Sequence, residues 1–245
     1  MTYMKSAFSL LLFFTLNCGI CQKVVSTHGL DLNADVSGWY DNQIGLENTV
    51  LATGKISRLR TTAPTTVPYF ETKNWRLGAL TYMGQKFTNI PMVYDVERDE
   101  LLVNLNIESD FRNVNLQLTK EYVSSFTLEN NHFRYVPDKI GSYNEGFYEV
   151  LFDTNILTLI KKHDKQLKTD SDLLINIYME QAKYFLKYQN GYYRISGKTD
   201  ILKLFRVNRQ EIKEFTKMNR YKGFRKNDES DLIKVISYCA SLIDE

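Results

Sequence analysis

Two neighbouring segments fix most of what this chain can become. Leu101, Val103, Leu105 and Ile107 alternate with Asn104 and Asn106, and Val114, Leu116 and Leu118 alternate with Asn113, Asn115 and Gln117. Successive side chains of a strand point to opposite faces, so each segment reads as a strand with one apolar and one wet side. Two such strands in succession imply an antiparallel meander over a single core, since parallel strands are buried on both faces and read as unbroken apolar runs. Further strands are expected at residues 76–82, 86–94, 121–129, 132–137, 146–152, 156–163, 174–188 (one strand or two) and 192–196. Gly84, Asn130-Asn131, Asp153-Thr154-Asn155 and Asn190-Gly191 supply the turns, the last a hairpin signal because both residues tolerate positive φ. Pro91 has no N–H to give to a ladder, so its strand should be an edge there or carry a bulge.

At Gly197 the period changes from 2 to about 3.6 residues. Thr199 is placed to cap a short helix carrying Ile201, Leu202, Leu204 and Phe205. Asn208 with Glu211 resembles a capping box for a second helix, with Ile212, Phe215 and Met218 inward. A third helix is expected from about Asp228 to Leu242, with acids in its first turn. The fold class is therefore α+β: a predominantly antiparallel sheet, as meander, sandwich or half-barrel, followed by two or three C-terminal helices. The expected divisions are residues 22–197 for the β-rich domain and 198–245 for a helical segment packed on or beside the sheet. Residues 22–53 carry only weak patterning.

The first residues bear on compartment. Lys5 precedes an apolar run from Ala7 to Leu16, too short to span a bilayer but suited to a secretory signal, with Gly19 and Cys21 at minus 3 and minus 1 of a cleavage before Gln22. Residues 1–21 are thus expected to be removed. A lipoprotein signal fits less well, because Asn17 and Ile20 precede the two cysteines where a small residue is wanted. Cleavage leaves Cys239 alone, on the helical stripe of Leu232, Val235 and Ile236, as an inert buried thiol. The mature chain then has no internal disulfide and no transmembrane span, and should be soluble or peripherally held. With 31 basic against 29 acidic residues, nothing argues for nucleic acid as a partner.

No assembled catalytic set is legible. In "GYYRISGKT", residues 191–199, five residues separate Gly191 from Gly197 where a phosphate-binding loop needs four. His28, His132 and His163 show no metal-ligand spacing and read as structural. The acids of "YDVERDE", residues 94–100, lack the glycine and the distant glutamate of a calcium loop, so they read as a solvated hairpin turn with Asp95 and Asp99 bonding their own backbone. Paired carboxylates such as Asp95, Glu97 and Asp99, or Glu145 and Glu149, could in principle serve glycoside hydrolysis, but sequence cannot place them around a sugar. No catalytic, cofactor-binding or metal residue is assigned.

Two features could meet a partner. Tyr178, Tyr184, Tyr188, Tyr192 and Tyr193 crowd one hairpin, where they serve either as core or as a stacking surface. Residues 198–227 hold ten basic side chains against three acidic, either a solvated helix face or an anion-facing patch, partly offset by the acidic last eighteen residues. The candidate binding surface is therefore Tyr184, Tyr188, Tyr192, Tyr193, Lys213, Lys217 and Arg220.

The runs "WRLGALTYMGQKFTNIPMVYDVERDELLV", "FTLENNHFRYV", "GFYEVLFDTNILTLIKKHDKQL" and "DILKLFRVNRQEIKEFTKMNRYKGFRKNDESDLIKVISYCASL" together resemble a group of secreted and envelope proteins of Bacteroidota with no assigned function. The resemblance covers about Trp75 to Leu242, brings no functional residues, and implies an envelope or secreted location in a Gram-negative bacterium, with periplasm or outer-membrane association favoured by the helical C-terminus. The expectation is a non-enzymatic binding or assembly protein, with an outer-membrane or envelope protein or a glycan as partner and no cofactor. The alternatives are a hydrolase or binding protein for envelope or dietary polysaccharide, and a carrier of lipid-like ligands, which needs a dry cavity between sheet and helices.

Overall fold

The computed structural model describes residues 44–60, 66–107, 112–170, 175–221 and 229–244. All belong to one compact unit, Asp35–Glu245. The expected signal segment, His28 and residues 22–43 lie outside the described residues. Residues 44–53 form two 3-10 turns, Leu46–Asn48 and Val50–Thr53, where little pattern was legible.

Eleven described strands form one open antiparallel sheet. They are β1 Lys55–Ile56, β2 Arg76–Tyr82, β3 Gln85–Asp95, β4 Glu100–Ile107, β5 Arg112–Gln117, β6 Val123–Leu128, β7 Asn131–Val136, β8 Gly146–Asp153, β9 Leu157–Asp170, β10 Ile175–Tyr188 and β11 Gly191–Ile195. Their order across the sheet is β1-β5-β4-β3-β2-β6-β7-β8-β9-β10-β11. Three described helices follow: α1 Lys198–Leu204, α2 Arg209–Met218 and α3 Glu229–Asp244. The expected strands and the α+β class are observed. Residues 175–188 are one strand, paired along its whole length with β9.

The two most telling strands, β4 and β5, pair in register from Leu102↔Gln117 to Ile107↔Arg112, and their apolar residues Leu101, Val103, Leu105 and Leu116 enter the core. Pro91 sits where β3 loses a neighbour: the ladder to β4 begins at Met92↔Val103, and the register with β2 shifts between Gly78 and Leu80. Its missing N–H is therefore accommodated without an orphaned partner.

The sheet curls. Three strands separate β3 from β8, about 19 Å in a flat sheet at about 4.8 Å per strand, yet Asp99 of the β3–β4 turn touches β8 directly. Phe147 N donates to its carboxylate at 3.3 Å, and Lys162 of β9 pairs with it at 2.8 Å. The concave side holds an aromatic core, with Phe126 stacked on Phe133 at 4.7 Å and Tyr94 edge-on to Phe126 and Phe147. Beyond it, Leu157, Leu159, Leu186 and Ile195 receive the helices through Ile201, Ile212, Leu232, Val235, Ile236 and Cys239. The opposite side of β8–β10 carries a smaller cluster of Val136, Ile140, Tyr148, Ile160 and Phe185. Leu159 and Ile160 therefore serve different cores, as the strand period demands.

Several local expectations are corrected. The hairpin turns after β6 and β10 fall one residue earlier than expected, at Glu129-Asn130 and Gln189-Asn190, with Glu129 at φ 54° and Gln189 at φ 53° taking the left-handed position. Pairing register, set by the buried faces, overrides the local preference for Asn-Gly. Thr199 does not cap α1: Gly197 holds that position, and the Asp200 carboxylate accepts from Ser196 N at 2.9 Å. Asn208 stands at the start of α2 but makes no side-chain cap. Met218 is 79% exposed rather than inward. At 100° per residue the inward stripe is set by Ile212, Phe215 and Thr216, and Met218 lies about 110° from its centre.

Candidate functional site

The residues expected to form a binding surface do not converge. Tyr184 and Tyr188 face the helices: Tyr184 OH donates to Glu229 Oε2 at 3.0 Å, and the Tyr188 ring meets Phe205 at 5.3 Å. Tyr192 packs against the opposite cluster, with Lys187 Nζ 5.8 Å from its ring centroid. Tyr193 alone of the four is largely open, at 41%. Lys213, Lys217 and Arg220 are exposed on α2 and the turn after it. The tyrosines are thus divided between two faces of the sheet, and the cations belong to a separate helical surface.

The most concentrated chemistry lies inside the fold. His163 of β9 is 4% exposed and holds a carboxylate on each ring nitrogen: Nε2 meets Glu149 Oε2 at 2.7 Å and Nδ1 meets Glu180 Oε1 at 3.0 Å. Asn131 Nδ2 donates to Glu149 Oε1 at 2.6 Å, and Lys161 bridges Glu149 at 3.3 Å to Glu229 of α3 at 2.7 Å. Lys165 donates to Tyr69 O at 2.6 Å. Strand register builds this cluster, because Glu149 stands opposite Lys161 and His163 opposite Ala182.

Burial works against charge on Glu149, but the hydrogen bonds of His163 and Asn131 and the charge of Lys161 outweigh it and hold the carboxyl at about 2. The His163 hydrogen bond, with Lys165 nearby, likewise holds Glu180 at about 2. Burial lowers the His163 pKa, yet the two carboxylates raise it above its ordinary value. An imidazole with acceptors on both nitrogens is matched to its doubly protonated form. It has no free lone pair with which to act as a base.

The acids of "YDVERDE" do sit at a hairpin turn, Val96–Asp99, with Asp99 at φ 58°. Asp95 accepts from Arg98 N, as expected of a residue bonding its own backbone. The expected solvation is corrected. Asp95 is 2% exposed and forked by Arg60 at 3.0 and 3.1 Å, while Glu97 pairs with Arg60 at 2.5 Å. Asp99 accepts from Tyr94 OH at 2.6 Å. The curl of the sheet, invisible in local pattern, carries the turn onto β8 and turns its acids into fasteners.

Asp95 and Glu100 stand opposite each other at the base of this hairpin, and burial raises both. Glu100 borders an open pocket of about 300 Å³ lined with Lys55, Arg98, Gln117, Lys120 and Glu121. Asp95 is sealed behind Arg60 and does not line that pocket, so the two cannot flank one bond of a sugar. The pocket is polar and lies at the β1–β5 end, unlike the dry space between sheet and helices that a lipid carrier requires. Among the described residues no group of three or more His, Cys, Asp or Glu side chains is placed to hold a metal ion. Cys239 is 1% exposed, and burial pushes its thiol up to about 12.

Sequence reasoning missed the His163 cluster. The available signal was the run Lys161-Lys162-His163-Asp164-Lys165, charged residues continuing a strand that begins with Leu157 and Leu159. Among the described residues no helix is long and apolar enough to cross a membrane. Comparison with protein-family models, with curated proteins and with solved structures finds no match.

Proposed function

We propose that this chain is a non-enzymatic exported protein of the cell envelope that acts by binding or assembly. The observation that carries the reading is the state of its buried ionisable groups. His163 is closed by Glu149 and Glu180, and both carboxylates are held at about 2. A general acid or base needs a path to substrate, and His163, 4% exposed with a carboxylate on each ring nitrogen, has none. Its arrangement suits a fastener that joins strands to α3. The polysaccharide hydrolase, which would need two facing carboxylates in an aromatic cleft, lacks that support.

Contact surface is available outside. Ile56 on β1, Leu77 on β2 and Leu167 and Met179 on the β9–β10 hairpin are exposed apolar side chains, and Val207 and Met218 flank α2. Export rests on Lys5 and the apolar run Ala7 to Leu16, and the Gram-negative envelope on the resemblance of residues 75–242. Capture of the tagged full chain from envelope fractions, with mass spectrometry, tests the proposal. One stoichiometric envelope partner is expected. A monomer that captures nothing and hydrolyses an envelope or dietary glycan overturns it.

A further inference from the structure

The end of the sheet where β1, β4 and β5 meet is hollow, and strand register furnishes it. Lys55 of β1 stands opposite Gln117 of β5, and Gln117 stands opposite Leu102 of β4. Residues opposite one another in a ladder share a face, and so do residues two apart in a strand. Lys55, Gln117 and Glu100 therefore project from one side of the sheet, away from Leu101 and Leu116 of the core. Arg98 comes from the turn between β3 and β4, and Lys120 and Glu121 from the 3-10 turn Lys120–Tyr122 that follows β5. All six border the open pocket of about 300 Å³.

The cations of this pocket are unmatched. Arg60, Arg76, Arg134, Lys161 and Lys162 each have a carboxylate partner within the fold. Among the described residues none of Lys55, Arg98 and Lys120 forms an ion pair, although Glu100 and Glu121 border the same hollow. Lys120 Nζ donates to the Glu145 carbonyl at 3.4 Å, while Arg98 acts on Glu100 through charge and Gln117 hydrogen-bonds to Glu100. Three unneutralised cations from three segments around one cavity work against the fold, as is expected where a surface does something else. A hollow bordered in this way concentrates anions.

Three properties narrow the class of anion. The volume is at the lower end of the range of about 300–1,000 Å³ for ligand clefts, which suits a molecule of monosaccharide size. Glu100 and Glu121 repel a compact ion such as phosphate alone, but accept hydrogen bonds from hydroxyl groups. The lining residues include no aromatic ring, so a neutral sugar has nothing to stack on. A ligand with one anionic end and one hydroxylated end meets all three.

We infer that this pocket binds a hexose unit bearing a carboxylate or phosphate, its anionic group between Lys55, Arg98 and Lys120 and its hydroxyls donating to Glu100, Gln117 and Glu121. The inference rests on the binding reading above and names a ligand for it. The test is calorimetric titration of the full chain with galacturonate, trigalacturonate, glucose 6-phosphate, glucose, inorganic phosphate and glutamate. Galacturonate and glucose 6-phosphate are expected to bind, and glucose, inorganic phosphate and glutamate at least about ten-fold more weakly, the worth of one charge-assisted hydrogen bond.

Arg98→Gln and Lys120→Gln should each weaken galacturonate binding about ten-fold. Lys86→Gln, at an exposed position of β3, should leave it unchanged. Urea midpoints like that of the native chain exclude unfolding as the cause. Tighter binding of trigalacturonate than of galacturonate would make the end of an acidic glycan the source of the ligand, and equal affinity a single sugar. Failure of both anionic sugars to bind, or binding indifferent to Arg98→Gln and Lys120→Gln, overturns the inference. So does binding of inorganic phosphate or glutamate as tight as that of the sugars. An envelope protein captured by a chain that binds neither sugar would remove this ligand and leave the binding function standing.

Discussion

Glu149→Gln removes one charge and almost no volume, so it isolates what the buried network contributes. In the native chain Glu149 titrates at about 2 against an ordinary glutamate near 4.5. The folded state therefore releases this proton more readily than the unfolded chain, and the carboxylate contributes stability that is fully present above the unfolded pKa and lost as pH falls toward the folded one. The difference corresponds to about 3 kcal/mol at neutral pH, of which roughly half is gone by pH 3. Breaking a buried pair by removing one partner costs about 3–5 kcal/mol, the same range. With a urea m-value of about 2 kcal/mol/M, the midpoint of Glu149→Gln should fall by about 1.5 M at pH 7. The gap should close to roughly half that at pH 3, because native protein then loses the same charge.

His163 gives an independent reading with the opposite sign. Its pKa is raised in the fold, so its contribution is fully present below the unfolded value of 6.5 and is lost as pH rises through the folded one. In Glu149→Gln one of its two carboxylates is neutral, and the imidazole should titrate closer to 6.5, as ¹⁵N chemical shifts of the ring nitrogens would report. A stability gap independent of pH, or below about 1 kcal/mol at pH 7, would refute the ionic account and leave only packing.

Three further outcomes follow from particular contacts. Gly78→Ala should unfold the chain or cost more than about 3 kcal/mol by chemical denaturation, because an added Cβ collides with the backbone carbonyl of Thr127 on the neighbouring strand. Asp99→Asn should cost about 2–4 kcal/mol at pH 7, since it removes the carboxylate that pairs with Lys162 at 2.8 Å and leaves that 6% exposed ammonium with the neutral Phe147 carbonyl at 3.0 Å, and adding Lys162→Met should recover part of the loss in a double-mutant cycle. Cys239 should resist iodoacetamide in native protein at pH 8 and react rapidly in urea, given a thiol 1% exposed and pushed up to about 12; fast native labelling would mean that α3 does not stay docked.

The sheet was legible because its strands are one-sided. Asn104 and Asn115 mark the wet face of β4 and β5 as clearly as Leu105 and Leu116 mark the core, and their side chains bond each other at 2.6 Å. Helix ends were less legible. Thr199, Asn208 and Met218 each satisfied a local rule, and each yielded to how α1 and α2 seat on the core: Met218 sits on an exposed arc because Ile212 and Phe215 dock α2 on α3. Turn positions slipped by one residue for the same reason, since a one-residue change of register would have moved every apolar side chain of β7 or β11 to the wrong face.

The charged interior was illegible for a different reason. Asn131, Glu149, Lys161, His163, Glu180 and Glu229 come from five elements, and sequence spacing says nothing about which meets which. Yet one part could have been argued. Ile160 and Phe185 are paired and buried, so the strands continuing from them, with Lys162 and His163, also lie within the sheet. Isolated charges do not survive there, because removing an ion from water costs several kcal/mol unless partners replace the water. A run such as Lys161-Lys162-His163-Asp164-Lys165 inside a strand therefore predicts carboxylates on the neighbouring strands and on whatever crosses the sheet. The turn "YDVERDE" is one of those answers: Asp99 meets Lys162, as Glu149 and Glu180 meet His163. Acids that look solvated by local pattern were the missing partners of bases that look misplaced, and the curl of the sheet is what joins the two.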